Sequence, residues 1–349
     1  MKYKLLLITF LSLLLTGAAH SGRSRFRPKD PLIPEMITNW EGEKETYHFK
    51  ESHLEESAIF GKFDYKHFME HLLPRGPIEY RIDKSKSVTG KRLDNLAHIL
   101  VNELYEHKRT FTDFIILKDN DFNYKAISGD LVLKYKNYPF VIKLFIETPE
   151  SFVKPFSKGW QPAAFFLMSG GINRYLCGFT RIKNRDLSQK KINADPYWST
   201  QNLDFPRKWY GLYKNQTWFA LKSQNIGQKQ HTIKLPSIYW IICDEIVEDK
   251  TKNVLHEEYP TFALDLSNSL DNGLDPHDGN ILIEKDTGTR VIIDTEHFPS
   301  MVGLKQRIKF TSYTHWYCTL STMALEAQLF RHKHFRQSMQ KTPSQVLAA

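Results

Sequence analysis

The sequence predicts an α+β fold, and three observations carry that expectation. Runs of β-branched and aromatic residues bounded by turn residues occur at 124–146 and again at 237–248. A 3–4 apolar period, the signature of amphipathic helices, occupies 90–108 and 313–340. A hairpin pattern spans 281–293. With 349 residues, 41% of them hydrophobic, the chain can bury a large core as one big domain or two intimate ones, which excludes wholesale disorder. No repeat with a period of roughly 20–50 residues occurs, which excludes a solenoid or propeller.

Residues 1–19 predict a cleaved secretory signal. Lys2 and Lys4 precede the apolar run Leu5–Leu15, and the small residues Gly17, Ala18 and Ala19 follow. The run is short for a bilayer span, so the expected mature protein is secreted or periplasmic with no transmembrane segment. Removing Lys2 and Lys4 takes the formal net charge from +9 to +7. That balance favours acidic partners, but the basic residues are spread along the chain and give no strong nucleic-acid signal. Cys177, Cys243 and Cys318 form no disulfide framework. Cys243, inside the apolar run Tyr239–Cys243, reads as a buried thiol.

Residues 20–119 read as a polar leader, with Arg23, Arg25 and Arg27, followed by a helical extension. Leu93, Leu96, Ile99, Leu100 and Leu104 share its stripe, with Glu103, Glu106 and Lys108 facing out. Tyr124–Ser128, Leu131–Tyr135 and Phe140–Ile146 predict three strands, joined through Gly129-Asp130 and Asn137-Tyr138-Pro139. Thr148-Pro149-Glu150 suits a helix start. Residues 160–182 read as an apolar run and a further strand around Gly170-Gly171. Weak periodicity makes 183–236 an insertion. A strand then ends in Asp244-Glu245, a helix covers 254–273, and Ile281–Ile283 pairs with Arg290–Ile293 around Asp286-Thr287-Gly288. The last helix carries Trp316, Leu320, Met323, Ala327 and Phe330 on one stripe.

The chemistry concentrates in Asp275-Pro276-His277-Asp278-Gly279-Asn280 and in Asp294-Thr295-Glu296. A hairpin returns its two ends to one edge, so Asp275 and Asn280 before it and Asp294 after it can converge. Carboxylate and amide oxygens are hard ligands suited to Mg²⁺. A second carboxylate can accept a hydroxyl proton, which together with the metal meets the needs of phosphoryl transfer. The same atoms allow two other readings: a plain turn cluster, or a metal-dependent hydrolase built from Asp275, His277, Asp278, Asp294, Glu296 and His297.

The order Asp-x-His-x-x-Asn resembles phosphatidylinositol kinases. Gly279-Asn280-Ile281-Leu282 and Ile293-Asp294-Thr295-Glu296 are similar to the corresponding pieces of aminoglycoside phosphotransferases. Both belong to the protein-kinase-like superfamily. The resemblance implies a two-lobed kinase-like fold, with an N-lobe over 120–248 that contains the insertion 183–236, and a C-lobe over 249–349. It implies ATP and Mg²⁺ as cofactors, Asp275 as catalytic base or orienter, and Asn280 and Asp294 as metal ligands. Lys143, in Phe140-Val141-Ile142-Lys143-Leu144-Phe145, would hold nucleotide phosphates, with Glu147 or Glu150 as its partner. Asp244 and Ile246 would form a nucleotide-contacting hinge. Gly129 stands where a glycine-rich loop is usual, and Glu296 where a glycine is usual in protein kinases. The phosphate acceptor, whether protein, lipid or small molecule, is not written in these motifs. Since ATP is scarce outside the cytoplasm, an exported pseudokinase or binding module without turnover is the alternative expectation. No serine-hydrolase elbow, zinc-type Cys/His spacing or Walker loop is present. Asn215-Gln216-Thr217 is a glycosylation sequon, and Arg331-His332-Lys333-His334 reads as cations late in a helix.

Overall fold

A computed structural model of the chain describes residues 35–40, 47–50, 65–147, 178–215, 218–224, 231–252, 261–297 and 308–322. The expected signal segment, the arginine-rich leader, the expected helix start at Thr148, Glu150, Cys177, most of the sequon and residues 323–340 lie outside them. Among the described residues no helix is long and apolar enough to cross a membrane.

The fold is α+β. Its elements run β1 (Glu35–Trp40), β2 (Tyr47–Lys50), α1 (Tyr65–Glu70), β3 (Pro77–Glu79), β4 (Ser87–Thr89), α2 (Gly90–Tyr105), β5 (Phe114–Lys118), β6 (Phe122–Asn123), β7 (Ser128–Tyr135) and β8 (Phe140–Ile146). They continue through α3 (Arg181–Ala194), β9 (Leu203–Asp204), β10 (Lys208–Leu212), β11 (Trp218–Gln224), β12 (His231–Pro236), β13 (Ile238–Asp244), α4 (Phe262–Ser269), β14 (Ile281–Ile283) and β15 (Arg290–Ile292). A helical run follows at 313–322. The main sheet has the strand order β10-β13-β8-β7-β5, with β6 appended to β7. A second sheet is ordered β12-β11-β1-β2, a third β14-β15-β9, and β3 pairs with β4. The region read as a helical extension thus contributes strands as well as helices.

The two faces of the main sheet differ because side chains alternate along a strand. On one face Leu131, Leu133, Ile142, Leu144, Trp240 and Ile242 join Leu93, Leu96, Leu100 and Leu104 of α2 in one apolar cluster. Antiparallel register aligns Lys143 with Ile241 and with Val132, and Lys208 with Cys243. These residues lie on the opposite face. Poor apolar alternation along β8 suggested burial on both faces; that holds at Phe145, which is fully buried on the face of Lys143, whereas Val141 and Lys143 are only half-buried and Ile142 and Leu144 are fully covered.

Thr89 caps α2, its hydroxyl accepting from the Arg92 amide at 3.2 Å. Two stripe assignments reverse. Ile99 is 42% exposed, whereas Glu103 is 6% exposed. Glu103 lies three residues from Leu100 and seven from Leu96, closer to the centre of the buried face than Ile99. Its carboxylate accepts from the Thr112 hydroxyl at 2.8 Å and pairs with Lys108 at 3.6 Å, so burial leaves it with partners.

Tyr124–Ile127 is a turn, not a strand, and Ser128 begins β7. The Asn123 side-chain oxygen accepts from the amides of Lys125 and Ala126, both at 3.0 Å, and Ile127 has φ 48°. An Asn that bonds the following amides competes with strand formation. The strands that do pair with β7 here are β5 and, just before the turn, β6. The supposed insertion is also structured: it includes α3 and β9 to β12. A second apolar cluster joins Ile192 and Trp198 to Phe262, Leu266 and Leu270 of the α4 region and to Ile281 and Ile292 of the hairpin.

Candidate functional site

The site lies where the polar face of the main sheet meets the β14–β15 hairpin. Helix α4 ends at Asp271 and Asn272, both left-handed with φ 56° and 60°, residue types that tolerate this conformation. Asn272 N donates to Ser267 O at 2.7 Å, closing the helix end. The chain then enters the Asp275 loop. Asp275 Oδ1 accepts from the His277 amide at 3.0 Å, and His277 Nδ1 accepts from the Gly279 amide at 3.0 Å. His277 therefore shapes the turn. Asn280 Nδ2 donates to the Asp275 carbonyl at 3.4 Å.

The hairpin acts as its sequence requires. Ile281 is opposite Ile292, and Ile293 N donates to Asn280 O at 2.9 Å. Asn280 and Asp294 thus flank the same end of the ladder. Lys143 reaches this end from β8, its Nζ lying 3.2 Å from Asp294 Oδ2, and both side chains are 20% exposed. Arg181, at the start of α3 and 2% exposed, bonds Asp294 Oδ1 and also pairs with the buried Glu296. Lys208 donates to Ile293 O at 3.0 Å and to Thr295 Oγ1 at 2.8 Å. The Thr295 hydroxyl donates to Arg181 O at 2.7 Å. Asn184 Nδ2 ties Gly273 O at 2.6 Å to Thr295 O at 3.0 Å, so α3 clamps both flanks of the hairpin.

Burial and neighbouring charge set the protonation states. Burial alone would raise the Asp294 carboxyl, but Arg181 and then Lys143 hold it well below the usual aspartate range. Burial pushes Asp275 up to about 6, reinforced by the negative charge of Asp294. Burial lowers Lys143, with Arg181 adding to the effect and Asp294 opposing it. Burial lowers Lys208 to about 7, against the attraction of Asp294.

Lys143, Asp275, Asn280 and Asp294 therefore share one neighbourhood. Asp244 is committed elsewhere. Its carboxylate is 0% exposed and accepts from Arg207 Nε at 2.9 Å and Nη2 at 2.7 Å, and from the Arg207 amide at 2.8 Å. Ile246 is half-buried beyond the end of β13. Glu147 lines a polar pocket with Ser128 and Gly129 at the far end of β8, so the carboxylate that meets Lys143 is Asp294. Arg181 and Lys208 carried no sequence signal as site residues. The nearest hint was a lysine set between Arg207 and the aromatics Trp209 and Tyr210.

The oxygen donors of Asp275, Asn280 and Asp294 are a hard set compatible with Mg²⁺. Burial is the main cause of the raised Asp275 carboxyl, and the smaller contribution, repulsion from Asp294, is one that a divalent cation would relieve. Comparison with known proteins found no matching family model, no matching curated protein and no matching solved structure.

Proposed function

We propose that the protein is an exported kinase-like phosphotransferase that moves the γ-phosphate of ATP to an alcohol. The observation that carries this reading is the meeting of Lys143 from the middle of the main sheet with Asp294 at the hairpin end, beside Asp275 and Asn280. In phosphoryl transfer a strand lysine, an amide oxygen and a metal-binding carboxylate position the phosphates, while a further aspartate accepts the acceptor proton. The order of the main sheet, with the lysine strand between β13 and β7, supports a two-lobed kinase-like fold.

On this reading Asn280 and Asp294 would hold Mg²⁺, which when bound neutralises charge on the phosphates. The Lys143 ammonium, now on Asp294, would be the group available to a phosphate oxygen. Asp275, raised to about 6, accepts the proton of the acceptor hydroxyl; a base near neutrality suits that task. Lys208, through Ile293 O, and Arg181, through the Asp294 and Glu296 carboxylates, hold the Ile293–Glu296 segment in place. Asp244 and Ile246 would contribute to a nucleotide hinge through backbone and surface, because the Asp244 carboxylate is engaged by Arg207.

One observation favours the pseudokinase alternative: Arg181 bonds Asp294 Oδ1, where it competes with a metal for the same oxygen. The hydrolase alternative is weaker. His277 Nδ1 already accepts from Gly279, and that reading leaves Lys143 without a role.

Nucleotide titration with and without Mg²⁺, followed by an assay of phosphate release or transfer, decides among them. Asp294→Asn is expected to abolish Mg²⁺-dependent ATP binding and turnover. Asp275→Asn is expected to leave affinity within a few-fold while lowering kcat, as for an interaction realised mainly in the transition state. ATP binding in the parent without turnover would favour the pseudokinase. Equal loss of metal affinity in both variants would favour the hydrolase.

A further inference from the structure

A second cluster stands apart from the Asp275–Asp294 site. His67 and His71, an i,i+4 pair that the sequence reading of no zinc-type spacing passes over, lie on one face of α1 and its exit. Their rings stack at a centroid distance of 3.9 Å with 25° between planes. Across from them, on α3, is Asp186. Its Oδ2 is 3.5 Å from His71 Nε2 and 3.9 Å from His67 Nε2. One ligand atom from each of the three residues falls within 4.8 Å of the others.

The surrounding bonds orient these atoms. His71 Nδ1 is 2.7 Å from the His67 carbonyl, which only accepts, so Nδ1 carries the proton and a neutral ring turns its Nε2 lone pair toward Asp186. Arg185 holds the other Asp186 oxygen, with Nε at 2.8 Å and Nη2 at 2.6 Å from Oδ1. That leaves Oδ2 facing the histidines. Helix α1 is itself anchored. Phe68 stacks on Tyr210 at 4.4 Å, Tyr210 N donates to His71 O at 2.8 Å, and Leu73 N donates to Tyr210 O at 2.8 Å.

Two imidazole nitrogens and a carboxylate oxygen gathered at such distances can share one positive charge, supplied by a proton on one ring or by a metal ion. A single divalent ion engages both imidazoles and the carboxylate once one ring turns out of the stack so that both lone pairs converge. In a tetrahedral zinc site with ligands at about 2.0–2.1 Å, neighbouring ligand atoms are about 3.4 Å apart, close to the spacings seen. We propose that His67, His71 and Asp186 form a binding site for Zn²⁺ or a similar borderline transition-metal ion. The partly exposed Asp186 edge leaves room for water as fourth ligand. Mixed imidazole and carboxylate donors favour such an ion over Mg²⁺ or Ca²⁺. The bound ion would pin α1 to α3, the helix that presents Arg181 and Asn184 to the hairpin. Glu70 is turned to Lys66 at 3.8 Å, so the assignment is a cation tether and no hydrolytic role is attached to it.

The test uses the full chain, stripped with a chelator and titrated with Zn²⁺ by calorimetry and with Co²⁺ by visible absorption. One Zn²⁺ per chain is expected, unaffected by excess Mg²⁺, with Co²⁺ giving the intense visible bands of tetrahedral coordination. His71→Ala and Asp186→Asn should each weaken Zn²⁺ binding by roughly tenfold or more, at least the loss typical of even an outer-shell partner. X-ray absorption of the zinc-loaded parent should count two imidazole ligands, a readout that does not depend on any variant folding. Stoichiometric binding retained in His67→Ala/His71→Ala, or a parent that binds neither ion, would overturn the assignment.

Discussion

Lys143 Nζ and Asp294 Oδ2 lie 3.2 Å apart although β8 and β15 belong to different sheets. The ammonium is available to a phosphate only by leaving this carboxylate. Lys143→Met should therefore lower Mg²⁺-dependent ATP affinity by roughly 10–100-fold, the worth of a charge-assisted hydrogen bond. Fluorescent-nucleotide titration measures it. Unchanged affinity would make Lys143 a structural partner of Asp294 and nothing more.

Arg181 is the buried hub of the cluster, compensating both Asp294 and Glu296. Removing one member strands the others. Arg181→Met should cost about 3–5 kcal/mol in denaturant unfolding, as when one partner of a buried ion pair is deleted. Adding Glu296→Met to that variant should recover part of the loss, and a double-mutant cycle reads the coupling.

Asp275 makes the pH dependence specific. Its folded-state value, about 6, lies above the ordinary aspartate range, so the folded protein binds a proton more tightly than the unfolded chain. The group therefore destabilises fully above about pH 6, and the penalty fades as pH falls toward the unfolded value near 4. Asp275→Asn should raise stability at pH 7 by about 1–3 kcal/mol, and the advantage should vanish by about pH 4. Unfolding curves of parent and variant across pH 4–8 test this. An advantage that persists unchanged at pH 4 would contradict the assignment.

Lys208 gives the opposite slope in a different window. Its value of about 7 is below the ordinary lysine range, so the unfolded chain holds the proton more tightly. This penalty is complete below pH 7 and disappears as pH rises toward 10. The stability difference between the parent and Lys208→Met should move in favour of the parent over pH 7–10. A flat difference would show that Lys208 titrates normally.

Gly211 is set by packing. A Cβ there would fall 1.8 Å from Trp240 Nε1 on the α2 side of the sheet. The indole is wholly buried and cannot step aside. Gly211→Ala should cost about 1–3 kcal/mol, the usual penalty of overpacking, read as a fall in thermal midpoint.

Local patterns were legible wherever the chain's near neighbours decide the outcome. Phe140–Ile146 is the strand its residues announce, and the turn at Asp286-Thr287-Gly288 has Gly288 at φ 67° as a tight hairpin needs. Asp275, Asn280 and Asp294 were readable because a short hairpin is itself local geometry. Tyr124–Ile127 misled because β-like composition there is overruled by one side chain, Asn123, bonding the next amides.

Only tertiary structure could decide what Arg181, Lys208, Glu296 and Asp186 do. The sequence by itself determined strand and helix periods, the hairpin and the residue types at its ends. Which buried charge meets which was decided by sheet register and by the packing of α3 across the hairpin. Glu103 shows the reason in miniature: its type says solvent, but Thr112 and Lys108 make burial tolerable. A charged side chain can be buried only where distant partners replace its water, and those partners come together only when the chain folds.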